Sequence, residues 1–156
     1  MLERNWLKKV NILKEMSDKD RSILKLYIQE ETFEEKEIIY EEGQNGGKLF
    51  FVQEGKLRVF RKGAKFQEFE LGTIEPGSVF GAITFFDGGK HTASVAVVKK
   101  TAVGVLSIQK FKMMAKKHPA LAFMVTKGLL LELQKILRKM NAKYVSMMEF
   151  IQVLGK

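Results

Sequence analysis

The spacing of hydrophobic residues changes twice along the chain and divides it into three parts. Near the N-terminus Trp6, Leu7, Val10 and Leu13 fall on one face of a short helix over residues 5–13. Ser17 then reads as the N-cap of a second helix from residue 18 to about 29, with Ile23, Leu24, Leu26, Tyr27 and Ile28 as its broad apolar face. From Thr32 the period becomes that of short strands, predicted at 37–40, 49–53, 56–61, 66–71, 92–98 and 102–108. Turn residues separate them: the glycine-rich 43–47 stretch, Glu54-Gly55, Lys62-Gly63, Pro76-Gly77, Asp87-Gly88-Gly89 and Lys99-Lys100. Short strands at such regular spacing predict a sandwich or roll.

The helical period returns at the C-terminus. Residues 109–118 read as a short helix stopped by Pro119, which is itself suited to open the next one. In that long helix Leu130, Leu133, Leu137, Met140, Tyr144, Met147, Ile151 and Leu154 alternate at spacings of three and four, an unbroken heptad seam that extends back to Thr126 and Phe123. A roll covers only the first turns of such a helix, so the remainder predicts a parallel homodimer joined through Leu130, Leu133, Leu137, Met140, Tyr144 and Met147. The other arrangement is a helix folded back onto its own domain, since Ile136, Met148 and Phe150 widen the stripe.

Composition narrows the class. A chain of 156 residues with 46% hydrophobic content fits one domain with an appendage. The division is 1–30 for the N-terminal helices, 31–108 for the roll and 109–156 for the C-terminal helices. The absence of cysteine excludes disulfides, cysteine-ligated zinc and iron–sulfur clusters. The opening MLERNWLKKV has no signal-peptide core and no segment reaches membrane-spanning length, so a cytoplasmic protein without a membrane span is expected. The net charge of +9 is concentrated at the C-terminal end, where residues 110–156 carry ten Lys or Arg against Glu132 and Glu149. Lys127, Lys135, Arg138 and Lys139 form the solvated face of a helix in the simplest reading; nucleic acid, an acidic partner or a membrane surface are the others.

No catalytic constellation emerges. His91 and His118 stand apart, without His-x-His or His-x-x-x-His metal spacing, and there is no phosphate-binding Walker loop or Gly-x-Ser-x-Gly elbow. The pairs Glu34-Glu35 and Glu41-Glu42 sit in turn or strand-end contexts that surface charge explains. A non-enzymatic protein without a metal is expected.

The stretch most suited to binding is 76–97, PGSVFGAITFFDGGKHTASVAV. Gly81 permits close backbone approach, and the first N–H groups of a short helix over 81–86 would point at a small anion. Lys90 or His91 could supply charge, the latter only when protonated, while Thr92 offers a hydroxyl and Ala93 keeps the wall thin. The candidate ligand residues are Phe80, Gly81, Ala82, Ile83, Lys90, His91, Thr92 and Ala93.

Phe80-Gly81, the apolar turn after it, the glycine loop and Thr92-Ala93 together resemble the phosphate-binding cassette (79–95 here) of the cyclic nucleotide-binding domain family. FEEKEIIYEEG (33–43), LFFVQEG (49–55), KLRVFR (56–61), LGTIEPG (71–77) and VGVLSIQKF (103–111) follow the family's order, so the resemblance covers most of the chain. It implies an α+β fold: an eight-stranded antiparallel β-roll of jelly-roll type, flanked by short N-terminal helices and a long C-terminal helix like the dimerisation helix of cyclic AMP receptor-type regulators. It implies a regulatory module that senses cyclic AMP (cAMP), cyclic GMP (cGMP) or another small anion. Occupancy would act on the C-terminal helices, with residues 126–133 near the ligand. Ala82 stands where the family has a glutamate for the ribose hydroxyl, and His91 where it has an arginine for the cyclic phosphate. Charge-assisted hydrogen bonds are worth about 1.5–3 kcal/mol each, so losing both weakens nucleotide binding by roughly two to four powers of ten. The alternative is therefore a degenerate domain that serves as a dimeric protein-interaction scaffold. The chain ends at Lys156 without a helix-turn-helix, so direct DNA reading is not expected and output would pass through a protein partner.

Overall fold

The computed structural model describes residues 5–156; residues 1–4 of the expected 1–30 segment, and with them the start of the MLERNWLKKV stretch, lie outside the described residues. Trp6, Leu7, Val10 and Leu13 are all buried, but on two 3-10 turns, Trp6–Lys9 and Asn11–Leu13, rather than one helix. Val10 between them is extended, which breaks the helical run. The Ser17 hydroxyl accepts the Asp20 amide at 3.1 Å and caps α1 (Asp18–Lys25). Arg21 on this helix is buried and donates to the Leu13 and Met16 carbonyls, which fastens the N-terminal arm to α1.

α1 is shorter than the expected 18–29 because the chain turns into a strand that the hydrophobic pattern hides. β1 (Gln29–Phe33) runs antiparallel to β6 (Ser94–Ser107), from Gln29 opposite Val105 to Phe33 opposite Thr101. Its sequence QEETF is mostly exposed, so ladder hydrogen bonds rather than burial define it. β2 (Ile38–Tyr40) also pairs with β6, while β3 (Lys48–Lys62) pairs with β6, with β4 (Glu68–Ile74) and with β5 (Val79–Phe80). Phe66, expected at the start of a strand, lies in the β3–β4 turn with φ of 60°.

Six strands are thus present among the described residues, not the eight of the sequence-based expectation. The expected pairs 49–53 with 56–61, and 92–98 with 102–108, are each one long strand that bends without breaking. Register shifts between Val52 and Leu57 absorb the bend as bulges. At the corner Gly55 has φ of 99°, and a side chain there would meet the Lys100 carbonyl at 2.5 Å.

Along β3 successive residues enter different cores. Leu49 and Phe51 join the layer formed with the N-terminal turns, α2 (Ile108–Lys117) and the start of α3 (Pro119–Leu154), whereas Phe50 and Val52 fill the roll interior with Leu57, Phe80, Val95 and Val103. Ser107 caps α2 by accepting the Lys110 amide at 3.2 Å, and Pro119 occupies the first turn of α3. α3 buries Leu121, Ala122, Val125 and Leu129 against the rest of the fold and is exposed throughout from Leu137 onward.

Candidate functional site

A cavity of about 260 Å³ lies between the roll and α3. Its floor begins at Gly81, whose φ of 81° turns the chain sharply out of β5. A Cβ at this position would lie 2.6 Å from the Lys48 carbonyl, so both conformation and space require glycine. The helix expected over 81–86 is a single 3-10 turn, Ala82–Thr84, too short for an appreciable helix dipole. The expected electrostatic pull on an anion is correspondingly reduced.

The opposite wall comes from the returning loop. The His91 amide donates to the Gln44 carbonyl and its carbonyl accepts the Gly43 amide, both at 2.8 Å, which pins this residue to the turn after β2. The imidazole stacks on Tyr40 with ring centroids 3.5 Å apart and an interplanar angle of 11°, and its Nδ1 lies 3.3 Å from the Thr84 hydroxyl. His91 is 7% exposed, and burial lowers its pKa below the ordinary histidine value, favouring the neutral ring. Burial likewise pushes the Tyr40 phenol up to about 12, so it stays protonated. Phe80, stacked on Phe50 at 4.6 Å, completes an aromatic support.

Seven of the eight residues expected to bind ligand line this cavity: Phe80, Gly81, Ala82, Ile83, His91, Thr92 and Ala93. Lys90 does not. It bridges Asn45 across the loop, is exposed, and directs its ammonium to the Gly43 carbonyl at 3.4 Å. The remaining wall is Tyr40, Val59, Ile74, Val79, Thr84 and Val95 of the roll with Leu133 and Ile136 of α3. Leu133 falls within the 126–133 stretch expected near a ligand, and Ile136 is one turn further on. Tyr40 carried no sequence signal, because its place depends on stacking with a residue far along the chain.

Of the described residues, none with a permanently charged side chain lines the cavity. Among the described residues no group of three His, Asp or Glu could hold a metal ion, and no helix is long and apolar enough to cross a membrane. The cassette is joined to the C-terminal helices by rings: Phe85 and Phe86, just after the 3-10 turn, meet Phe111 of α2 edge-on at 5.4 and 5.5 Å.

Most of the expected dimerisation residues lie beyond the part of α3 that is buried on the fold. Leu130, Leu137, Met140, Tyr144 and Met147 are each more than half exposed, while Leu133 is half-buried at the cavity.

Comparison with known proteins agrees with this geometry. The chain is 29% identical over 96 residues to the cyclic AMP receptor protein of Thermus thermophilus, covering 62% of this chain and 44% of that protein. It is 30% identical over 89 residues to human potassium/sodium hyperpolarization-activated cyclic nucleotide-gated channel 3, covering 57% and 11% respectively. The chain therefore spans less than half the length of these curated relatives. Its fold matches the crystal structure of a cyclic nucleotide-binding domain from Methylobacillus flagellatus with a TM-score of 0.80 at 20% identity, covering 90% of this chain and 79% of that one. The family profile described as cyclic nucleotide-binding domain matches residues 30–118, more than half of the sequence, and the chain belongs to that family.

Proposed function

We propose that this chain is a regulatory module that senses a small ligand in the cavity between roll and α3 and signals through its C-terminal helices. The observation that carries the reading is that one cavity is walled on one side by the cassette, from Phe80 to Ala93, and on the other by Leu133 and Ile136 of α3. A ligand there touches both bodies at once. It shifts their relation by as much as its affinity differs between two arrangements. The Phe85–Phe86–Phe111 contact offers a second route from the cassette to α2. We further propose that the free face of α3, from Leu130 to Met147, pairs with a second copy, so that the output is a change in how two long helices meet.

The test is a two-dimensional NMR screen of the purified protein against a small-molecule set that includes cyclic AMP and cyclic GMP, the ligand class of the family. The expected result is at least one compound that saturably shifts amides of Thr84 and His91 together with amides in α2 and α3. Compounds that shift only exposed surface residues, or cavity residues with no response in either helix, would refute the sensing role and favour a scaffold.

A further inference from the structure

The chemistry of the cavity wall assigns a ligand class, granted the sensing role proposed above. Fifteen residues line the cavity, and their side chains are aliphatic or aromatic except for Thr84, His91 and Thr92, the phenol of Tyr40 being the one further polar group. The family's two charged contacts have no replacement here. Ala82 ends at a methyl group, His91 is stacked on Tyr40 and buried, which disfavours its charged form, and Lys90 is turned to the Gly43 carbonyl. A cyclic phosphate in this position would leave water without a counter-charge.

A second cavity of about the same volume lies beyond the shared wall of Tyr40 and His91, and the charged groups are there: Glu31 and Lys48 line it beside Gln44 and Asn45. The stacked pair therefore separates a polar compartment from an apolar one. The apolar one is in contact with α3. Its volume lies just below the roughly 300–1,000 Å³ of pockets that enclose drug-sized molecules, which sets a small occupant. Side-chain polar handles are confined to the Thr84 and Thr92 hydroxyls, the imidazole and the Tyr40 phenol, enough to orient one amide, hydroxyl or ring nitrogen.

We infer that the natural ligand of this cavity is a small uncharged molecule, mainly apolar and bearing a flat ring or branched chain with a single hydrogen-bonding group, and not a cyclic nucleotide. Ring faces of such a ligand find Phe80 and the Ile83, Leu133 and Ile136 side chains, and its one polar group finds Thr84 or Thr92.

The test uses two probes of equal shape and different charge, indole-3-carboxamide and indole-3-carboxylate, with cyclic AMP as a third arm. Each is titrated into the full chain while the amides of Thr84, His91 and Leu133 are followed by NMR. The expected result is saturable binding of the carboxamide, at least tenfold tighter than the carboxylate, with no cyclic AMP binding. Ala93→Leu and Leu133→Trp narrow the cavity from its two sides, and each is expected to abolish carboxamide binding while retaining a cooperative melt. Carboxylate or cyclic AMP binding at these amides as tightly as the carboxamide overturns the uncharged-ligand inference and leaves the sensing role standing. Carboxamide binding that persists in both narrowed variants also overturns it. If no arm and no compound of the wider screen reaches the cavity amides at millimolar concentration, the sensing role falls as well.

Discussion

Phe86→Ala tests whether the cassette and α2 are mechanically joined. Phe86 is 48% exposed, so the substitution leaves no sealed void, yet its ring makes two edge-on contacts, with Phe85 at 5.0 Å and 64° and with Phe111 at 5.5 Å and 82°. Aromatic pairs of this geometry are worth about 0.5–1.5 kcal/mol each beyond area burial, so the pair together contributes about 1–3 kcal/mol. For a chain of this size each kcal/mol moves the melting temperature by about 2–4 °C, and a fall of about 6 °C is expected. Phe86→Leu, which keeps apolar volume without a ring edge, should recover about half of that loss.

The fall alone would report only stability, so hydrogen exchange locates it. The contact between Phe85 and Phe111 at 5.4 Å remains in the variant, and Phe85 is fully buried, so the roll is expected to keep its protection while α2 exchanges faster. A melting temperature within about 1 °C of the parent would refute the energetic argument. Equal acceleration in β6 and α2 would refute the idea that this ring joins one body to another.

Two further outcomes follow from the site and the helix. His91 has a folded pKa below its unfolded value, so between the unfolded value near 6.5 and the lower folded one the unfolded chain binds more protons, and stability rises with pH across that window. Its contribution is fully present above the unfolded pKa and is lost as pH falls; melting curves from pH 7.5 to 5 should show this loss, and His91→Phe, which retains the stack on Tyr40, should flatten it, whereas an unchanged slope would place the titration elsewhere. Leu137→Asp combined with Tyr144→Asp puts charges into the free seam, and light scattering should then report the 17.9 kDa single chain in place of a dimer with little change in the melting of the roll; a parent protein that is already monomeric at high concentration would refute the pairing.

What could be read from the sequence was whatever depended on local period or local chemistry. The burial of Trp6, Leu7, Val10 and Leu13, the Ser17 cap and the helix start at Pro119 all follow from neighbours a few residues away. β1 was not legible, because QEETF has no apolar alternation and is held by its ladder to β6. The fusion of four expected strands into two was hidden for the opposite reason: Gly55 carries a turn signal, but continued pairing with β6 converts the turn into a bulged bend. At the site, seven of the eight residues named from the sequence line one cavity, while their electrical surroundings could not be read. The lowered pKa of His91 comes from its burial, in which it stacks on Tyr40, and the direction of Lys90 depends on the turn at Gly43; neither Tyr40 nor Gly43 belongs to the cassette sequence.

On the proposed reading, the long helix is what lets a ligand with no charge have a large effect. α3 buries Leu121, Ala122, Val125 and Leu129 against the fold, while Leu130 and, beyond the roll, Leu137, Met140 and Tyr144 are exposed. Leu133 lies along the helix between the buried residues and the exposed ones, is half-buried, and lines the cavity. On that reading, a ligand packed against Leu133 changes how α3 is held on the roll. Burying apolar surface gives about 25 cal/mol per Å², so the range of about 1–3 kcal/mol typical of coupling between sites would take roughly 40–120 Å² of added burial at residues such as Leu133 and Ile136. On the proposed reading, hydrophobic packing at two helix residues is sufficient to bias the helix, and a phosphate clamp is not required for the switch.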